Sequence, residues 1–386
     1  MRRLIGITPE QDVFCEQRRI TNMLRSGEIT YFHIRKPHYT EQMMRDYLSL
    51  FATDVKEKLS LHDFHYLASE FGIGGIHLNR RNSELKEEYR NKRISVSCHT
   101  IEQVQKWKNK ADYLFLSPIF DSISKQGYTS KFDLQELKAL FEQNILNEKI
   151  CALGGVTYNN IDVLKEAGFS SFAMLSAVWD LPKTMFISHT NEFFDYFASC
   201  KTAIEGGIKF VQLRMKDAAD DEVINTAKQL RPLCDKHACM LTVDDRIHLL
   251  DTNLFDGVHL GKNDMPIKQA KTITKNKYLL GATCNTIEDV FKAIDDGADY
   301  LGIGPFRYTQ TKKNLSPVLG IAGYNDIMEK LSAKNVNIPT YAIGGITTED
   351  LQAIKSTNIY GVAVSSAVIN TPQNTQERIN EFLKVF

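Results

Sequence analysis

The stretch ADYLGIGPFRYTQTKKN, residues 298–314, joins an apolar strand pattern to a loop rich in hydroxyl and ammonium groups. The apolar part is Tyr300–Ile303, and the loop carries Thr309, Thr311 and Lys312. Hydroxyl groups donate hydrogen bonds to anionic oxygens, and ammonium groups neutralise them. A loop of this composition after a parallel strand suits a phosphorylated ligand, although a solvated basic turn would have the same composition.

An earlier stretch, ADYLFLSPIF at 111–120, matches the beginning of this pattern, and five further pairs of segments match in the same order. The paired segments are FHIRKP 32–37 with FVQLRMK 210–216, GGIHL 74–78 with DGVHL 256–260, SCHT 97–100 with TCNT 283–286, ALGGVT 152–157 with AIGGIT 342–347, and MLSAV 174–178 with VSSAV 364–368. The repeat is about half as long as the chain, and its matching segments follow the same order in both copies. This predicts two domains of one fold, at 1–182 and 183–386, with the boundary near Pro182.

Short apolar runs alternate with helical patterns in the second copy. The runs are 185–188, 210–214, 240–243, 257–260, 278–282, 300–304, 340–343 and 361–365. Segments between them, such as 222–237 and 287–296, place apolar residues three and four positions apart, as helices do. Eight strand–helix units, with polar residues at nearly every strand end, predict an α/β fold of two tandem (β/α)8 TIM barrels. A doubly wound open sheet also alternates strands with helices and stays open as the alternative.

Composition limits the kind of partner. Lys+Arg and Asp+Glu both number 47, so no net charge draws the chain to nucleic acid or an anionic membrane. The seven cysteines occur singly, without a CxxC pair, which is typical of reduced thiols in a cytosolic protein. No apolar run approaches the ~18 residues of a membrane span, and the N-terminus MRRLIGITPEQD turns polar too early for a signal peptide. We therefore expect a cytoplasmic protein that binds small molecules; whether it forms a homo-oligomer stays open.

Polar residues alternate at the end of the second strand of the second copy. Gln212, Arg214 and Lys216 point to one side of a strand, because side chains alternate between its faces. If that side faces the barrel mouth, the three converge on one ligand, with Arg gripping phosphate bidentately and Lys acting as a point charge. Surface charges on a strand would give the same alternation.

Acidic residues follow the next two strands. Asp244 and Asp245 end strand three, and Asp264 follows strand four in HLGKND. Two like charges about 4 Å apart repel by roughly 4 kcal/mol at an effective dielectric of 20, so carboxylates beside an anionic ligand need a cation. Magnesium binds through one or two carboxylates together with substrate phosphates, which predicts Mg²⁺ at Asp245 and Asp264. Asp264 before MPIKQA could instead be a helix N-cap.

A second anion site is predicted after strands seven and eight, where barrel enzymes often bind phosphate. Gly345 lets backbone N–H groups approach a phosphate, and Ser365 and Ser366 add hydroxyls. This set suits a monophosphate, whereas the cations and metal suit a diphosphate. No Ser/His/Asp or Cys/His pattern indicates a nucleophile, and His259, which has a twin in His77, is expected to be structural. A reaction in which diphosphate simply departs needs neither a side-chain nucleophile nor a catalytic base.

The ordered motifs QLRMK, VDDRIHLL, DGVHLGKND, GPFRYTQTKK, AIGGIT and VSSA resemble thiamine phosphate synthase across the second copy. The combination of QLRxK with GPxxxTxTKK is the specific part of this resemblance. It implies that the domain joins 4-amino-2-methyl-5-hydroxymethylpyrimidine diphosphate to 4-methyl-5-(2-hydroxyethyl)thiazole phosphate. The products would be thiamine phosphate and diphosphate, formed through a pyrimidine-stabilised carbocation that the thiazole nitrogen captures.

The resemblance also implies residue roles. Magnesium would be held by Asp245 and Asp264, and Arg214, Lys216, Thr283 and Lys312 would act in catalysis. The implied contacts of the pyrimidine diphosphate are Gln212, Leu213, Arg214, Met215, Lys216, Asp244, Thr283 and Lys312. The implied contacts of the thiazole phosphate are Thr309, Gln310, Thr311, Gly345, Ser365 and Ser366. Asp244 stands where the family usually has Asn, and Thr283 replaces a common Ser.

The first copy resembles the thiazole tautomerase branch of the same superfamily but departs from the synthase pattern. Pro37 stands in place of Lys216, and Asn82 in place of Asp264, while Arg35 and Asp63 survive. The residues aligned with the strand-six loop are Ser122, Ser124 and Lys125, and the histidine that the tautomerase branch places there is absent. A tautomerase with altered groups, a ligand-binding module and an inactive scaffold all stay open for this half. For the whole chain, a phosphate-binding barrel isomerase and a non-catalytic sensor are the alternatives.

Overall fold

The computed structural model of the chain describes residues 3–121, 130, 132–308 and 317–386. It divides into two compact units, one formed by Met1–Asp12 and Glu16–Asp180 and the other by Val13–Cys15 and Leu181–Phe386. Within the described ranges, no helix is long and apolar enough to cross a membrane.

The described residues of the first unit form a closed parallel barrel in the order β1 to β8. Its strands are β1 Arg3–Ile7, β2 Tyr31–Ile34, β3 Leu59–Leu61, β4 Gly75–Leu78, β5 Arg93–Cys98, β6 Tyr113–Leu116, β7 Ile150–Ala152 and β8 Ser171–Met174. Its helices are α1 Glu16–Arg25, α2 Glu41–Ser49, α3 Thr53–Lys56, α4 Leu67–Glu70, α5 Ile101–Trp107, α6 Leu134–Glu142 and α7 Ile161–Glu166, with short 3₁₀ helices at Glu87–Tyr89 and Tyr158–Asn160.

The second unit repeats the plan as a second closed parallel barrel. Its strands are β9 Thr184–Ile187, β10 Phe210–Leu213, β11 Met240–Asp244, β12 Gly257–Leu260, β13 Leu279–Cys284, β14 Tyr300–Ile303, β15 Thr340–Ile343 and β16 Gly361–Val364. Its helices are α8 Tyr196–Glu205, α9 Asp220–Lys236, α10 Ile267–Thr274, α11 Ile287–Asp295, α12 Gly320–Ala333, α13 Leu351–Ser356 and α14 Thr375–Val385, with 3₁₀ helices at Ile247–Thr252 and Thr348–Asp350.

The prediction of two (β/α)8 barrels is confirmed, and the open-sheet alternative is wrong because β16 pairs with β9 and closes the ring. All eight predicted strands of the second copy are present with ends within two residues of those expected. The strands read as near-continuous apolar runs because barrel strands are buried on both faces, by the helices outside and by the packed interior.

Aromatic rings fill the N-terminal end of the second barrel's interior. Phe210, Tyr300 and Tyr341 pack edge to face, with ring centroids 5.5 to 5.9 Å apart. The Tyr341 hydroxyl donates to the Pro182 carbonyl at 2.7 Å, which satisfies its polar group. These rings fill the N-terminal end of the interior, opposite the C-terminal strand ends.

Candidate functional site

A cavity of about 430 Å³ opens at the C-terminal ends of the strands of the second barrel. Residues from the ends of all eight strands line it, which is the arrangement expected when barrel strands point their carboxyl ends at one site. Seven of the predicted site residues contribute to the lining. These are Gln212, Arg214, Asp244, Thr283, Gly345, Ser365 and Ser366.

Asp244 organises the side of the cavity formed by β10 and β11. Its carboxylate accepts a hydrogen bond from the Gln212 side-chain amide and forms an ion pair with Arg214, whose Nε lies 3.1 Å from Oδ2. The Arg214 backbone is fixed in turn by Ser188, which accepts from the Arg214 N–H at 2.8 Å and donates to its carbonyl at 2.9 Å. The Asp244 carboxylate therefore contacts both the amide and the guanidinium, whereas an Asn in its place could not form the ion pair.

The other residues of the QLRMK segment are not among those that line the cavity. Leu213 and Met215 are buried in the core between sheet and helices, because strand alternation turns them away from Gln212 and Arg214. Any ligand contact at these two positions is therefore made by backbone atoms. Lys216 is exposed, and its positive charge acts on Asp245.

Asp245 and Asp264 converge beside the end of β12. The Asp264 carboxylate accepts a hydrogen bond from the Gly261 N–H at 2.6 Å. A Cβ placed on Gly261 would lie 2.7 Å from Asp264 Oδ2 and 4.0 Å from Asp245 Oδ1, so both carboxylates reach the same glycine. The N-cap position of α10 is occupied by Pro266, so Asp264 does not serve as that helix's cap.

The two neighbouring carboxylates disfavour each other's ionisation, which a bound cation would offset. Burial, followed by the neighbouring carboxylates of Asp244 and Asp264, raises the pKa of Asp245 to about 7. A group of hard carboxylate oxygens that resist ionisation together is the donor set that Mg²⁺ favours. Asp245 itself has a left-handed backbone with φ of 64°, a conformation that Asp and Asn tolerate better than most residues. The residues present therefore fit a magnesium ion.

His259 lies between the floor and the cavity. Its Nδ1 is 3.1 Å from the Tyr300 hydroxyl and its Nε2 is 2.9 Å from the Thr283 hydroxyl. The two bonds fix the imidazole ring and aim Thr283 into the cavity. A positioning role for His259 fits this geometry, in line with the expectation of a structural histidine.

The end of β9 supplies cavity residues that the sequence did not indicate. Ser188, His189 and Thr190 all line the cavity beside the serines that follow β16, the neighbouring strand. Partial burial lowers the pKa of His189, so its imidazole is neutral at physiological pH. The only available signal was their position directly after the first strand of the second copy.

The loops after β15 and β16 form the other end of the cavity. Gly344 and Gly345 both have positive φ, at 98° and 69°, and the carbonyl of Gly345 accepts from Arg307 at 3.0 Å. Arg307 is held by Asp350 in a bidentate ion pair, so the strand-six and strand-seven loops are tied together. Ser365 and Ser366 line the same cavity. The predicted residues Thr309, Gln310, Thr311 and Lys312 lie outside the described residues.

The sequence of the chain matches a known protein family. A sequence profile described as thiamine monophosphate synthase matches the chain twice, at residues 4–178 and 184–368. The chain belongs to the thiamine monophosphate synthase family. The two matches fall on the two barrels, so this family member carries the family's fold twice.

Several relatives of this thiamine monophosphate synthase family member match only about half of its length. The thiamine-phosphate synthase of Bacteroides fragilis is 47% identical over 192 residues, which are 50% of this chain and 94% of the relative. That of Flavobacterium johnsoniae is 36% identical over 191 residues, 50% of this chain and 90% of the relative. A solved structure, thiamine phosphate pyrophosphorylase from Pyrococcus furiosus, is 33% identical and covers 53% of this chain and 95% of its own, with a TM-score of 0.47.

The first barrel of this family member keeps the backbone of the site but changes its charges. Thr8 accepts from the Arg35 N–H at 2.7 Å, as Ser188 does from Arg214 in the second barrel. The Arg35 guanidinium, however, is paired with Glu10 at 2.8 Å. The arginine is therefore ion-paired in both barrels, with Glu10 in the first and with Asp244 in the second.

The position of the magnesium pair is also altered in the first barrel. Asp63, aligned with Asp245, forms a bidentate ion pair with Arg81 at 2.9 to 3.1 Å. Asn82, aligned with Asp264, donates a hydrogen bond to the same carboxylate at 2.9 Å. Arg81 thus supplies from within the chain the positive charge that the second barrel's carboxylates lack. The aligned loop residues Ser122, Ser124 and Lys125 lie outside the described part of the chain.

Proposed function

We propose that the second barrel, residues 183–386, joins the pyrimidine diphosphate to the thiazole phosphate to form thiamine phosphate. The homologues support thiamine phosphate synthesis as the activity of this chain. The observation that carries the finer proposal is the meeting of Asp245 and Asp264 at Gly261, next to a cavity lined by Arg214. One anionic leaving group between these carboxylates and cations explains why both signs of charge occur in one site.

The reaction follows from the charges at this end of the cavity. The bond between the pyrimidine methylene carbon and the diphosphate oxygen breaks with both electrons going to diphosphate, and the thiazole nitrogen lone pair then forms the new C–N bond. Arg214, Lys216 and Lys312 stabilise the charge that builds on the departing diphosphate, a contribution of several kcal/mol in sites of this type. Magnesium, which Asp245 and Asp264 would hold, would neutralise further charge on the same group. No side chain has to abstract a proton for the bond to form.

The remaining residues orient the two substrates. Gln212 and Asp244, linked by a hydrogen bond, offer an amide and a carboxylate edge to the aminopyrimidine. Thr283 is aimed into the cavity by His259. Gly345, Ser365 and Ser366 would bind the monophosphate, and Thr309, Gln310 and Thr311 would contact the thiazole from the strand-six loop. Closing the cavity with two bound substrates would exclude water from the carbocation.

For the first barrel, residues 1–182, we propose little or no synthase activity. Two of the groups used above are changed there, because Pro37 replaces Lys216 and Asn82 replaces Asp264. The Arg81–Asp63 ion pair stands where a magnesium ion would have to bind. Without the divalent ion and the Lys216 ammonium group, a diphosphate leaving group loses much of its stabilisation.

A two-substrate assay on the full chain tests both parts of the proposal. The purified protein is mixed with the pyrimidine diphosphate, the thiazole phosphate and MgCl₂, and thiamine phosphate is quantified. We expect turnover that EDTA abolishes, that Asp245→Asn removes, and that Asp63→Asn leaves in place. Product formation without a divalent ion would contradict the role of magnesium. Equal losses from the two substitutions would contradict the assignment of the reaction to the second barrel.

A further inference from the structure

Three buried histidines meet inside the first barrel. His33 lies on β2, His62 follows the end of β3, and His77 lies on β4, so neighbouring strands bring them to one level. One ring nitrogen from each lies within 4.8 Å of the others. His33 Nδ1 and His62 Nε2 are 2.9 Å apart. Two imidazole nitrogens on one tetrahedral zinc ion lie about 3.4 Å apart, since each Zn–N bond is about 2.1 Å, so the observed spacing is close to that of a ligand set.

The three rings are held in the neutral form that binds metals. Burial lowers the pKa of all three histidines, and that of His77 falls to about 3. Neighbouring guanidinium groups act in the same direction on His33 and His62. Neutral imidazole presents a nitrogen lone pair without first losing a proton, which removes the usual competition between protons and metal ions.

Two of the three rings, those of His33 and His77, are also oriented by hydroxyl groups. The Tyr113 hydroxyl lies 2.6 Å from His33 Nε2, on the side of the ring opposite His62. His77 is held between the hydroxyls of Ser95 and Ser97, at 2.9 and 2.8 Å. Partners on the outer nitrogen of a metal-ligating histidine fix its tautomer and ring orientation, and hydroxyl groups can provide them. The cluster therefore combines inner nitrogen donors with outer hydrogen-bond partners.

The second barrel holds different residues at two of the three positions of the cluster. The positions aligned with His33 and His62 hold Gln212 and Asp244, which are also joined by a hydrogen bond. Of the three histidines, only His77 has a histidine counterpart, His259. The first barrel thus has nitrogen donors where the second has oxygen donors, next to the carboxylate that is paired with Arg81.

We propose that the first barrel binds a divalent transition metal of the zinc, cobalt or nickel class through His33, His62 and His77. Imidazole donors favour these metals over magnesium or calcium, which take oxygen ligands. Binding replaces the His33–His62 hydrogen bond and one His77–serine bond with three metal–nitrogen bonds, while Tyr113 keeps its contact with His33. Three protein ligands leave a fourth position for water or an exogenous donor, the arrangement of a zinc site that performs chemistry or receives a ligand.

Titration of the full-length, EDTA-stripped protein with Co²⁺ and Zn²⁺ tests the proposal. Tetrahedral Co²⁺ gives intense visible d–d absorption, which reports ligand geometry, and calorimetry gives the stoichiometry for Zn²⁺. The variants are His62→Ala and His33→Gln, the latter introducing the residue that the second barrel holds at this place. His38→Gln serves as the matched control, because it removes an exposed histidine that lies outside the cluster. Asp245→Asn excludes binding by the acidic pair of the second barrel.

We expect one equivalent of tetrahedrally bound Co²⁺, or of tightly bound Zn²⁺, per chain, and affinity at least about tenfold weaker in both cluster variants. His38→Gln should bind as the wild type does, whereas Asp245→Asn should keep the tetrahedral Co²⁺ spectrum and lose any further equivalent held by the acidic pair of the second barrel. Thermal unfolding and circular dichroism establish that His33→Gln is folded, so a loss of binding there is not a loss of fold. The proposal is overturned if the wild-type protein gives no tetrahedral Co²⁺ spectrum, if both cluster variants bind normally, or if a control variant abolishes binding.

Discussion

Replacing Asp245 by Asn should make the metal-free protein more stable while removing its response to magnesium. Asp245 is half-buried and shares its surroundings with Asp244 and Asp264, and its pKa is raised from 3.8 to about 7 mainly by burial. A carboxyl group that is harder to ionise in the folded chain than in the unfolded one opposes folding. Asn removes the charge, keeps the shape, and tolerates the φ of 64° at this position.

The size and sign of the effect follow from the two pKa values. Ionisation costs folding free energy once the pH exceeds the unfolded value of 3.8, and the cost grows until about pH 7. Without solvent screening, the cost of ionising Asp245 in the folded chain is roughly 4 kcal/mol at neutral pH. Screening at a half-exposed carboxyl reduces this cost to about 2 kcal/mol. For a domain of this size that corresponds to a Tm increase of roughly 4 to 8 °C at about pH 8, and less than half of it at about pH 5.

Differential scanning fluorimetry with and without MgCl₂ measures the prediction. In EDTA, Asp245→Asn should melt above the wild type, whereas at a hundredfold excess of Mg²⁺ over its Kd the wild type should gain about 2.7 kcal/mol and overtake the variant. Asp63→Asn is the matched control from the first barrel. It removes a carboxylate that is already paired with Arg81, so it should lower Tm slightly and leave the magnesium response intact.

The reasoning is refuted by any of three results. Asp245→Asn could lower Tm in EDTA at about pH 8, which would mean that its carboxylate is a favourable partner in the metal-free fold. Alternatively, the variant could keep the full magnesium-induced shift, which would place the ion elsewhere. A pH-independent stabilisation would also separate the effect from ionisation of Asp245.

Three further substitutions probe separate parts of the chain. Lys312→Ala should lower kcat by about 100-fold in the two-substrate assay with Tm unchanged, because the ammonium group is expected to act on the leaving diphosphate. Gly345→Ala should raise KM for the thiazole phosphate by about tenfold and cost about 1–3 kcal/mol of stability, since its φ is positive and a Cβ would lie 2.4 Å from Arg307 Cγ. Lys36→Met should destabilise the first barrel by about 3–5 kcal/mol in urea titrations, because it leaves the buried Glu16 carboxylate without its ammonium partner at 2.8 Å.

Each of these has a contrary outcome. Wild-type turnover in Lys312→Ala removes that residue from the mechanism. An unchanged KM in Gly345→Ala, with the variant folded, moves the monophosphate site away from the strand-seven loop. Normal stability in Lys36→Met, a change to the residue found at the matching Met215, would mean that the buried ion pair contributes no net stability.

The barrels were predictable because their strands carry a strong local signal. Continuous apolar runs such as Gly257–Leu260 and Thr340–Ile343 occur where both faces of a strand are buried, and the structure places both within the predicted bounds. Alternation along β10 likewise anticipated that Gln212 and Arg214 share a face. The same alternation places Leu213 and Met215 on the opposite face, in the core. The family resemblance had included both among the substrate contacts.

Other features depend on contacts that no local pattern encodes. Alignment identified Asn82 as a lost metal ligand, but the pairing of Arg81 with Asp63 depends on how the short loop after β4 turns its side chains. The histidine cluster joins positions 33, 62 and 77, and only His77 has a counterpart that drew attention to it. The cavity residues Ser188 and His189 carry no motif, and closure of the ring between β16 and β9 brings them to the site.

Arg81 also has a consequence for any redesign of the first barrel. With its guanidinium paired to Asp63, an Asn82→Asp substitution alone would add a carboxylate beside a position that a cation already occupies, and loss of Arg81 alone would remove the charge that balances Asp63. An acidic pair open to a metal ion therefore requires both positions to change together, so this one arginine separates the chemistry of the first barrel from that of the second.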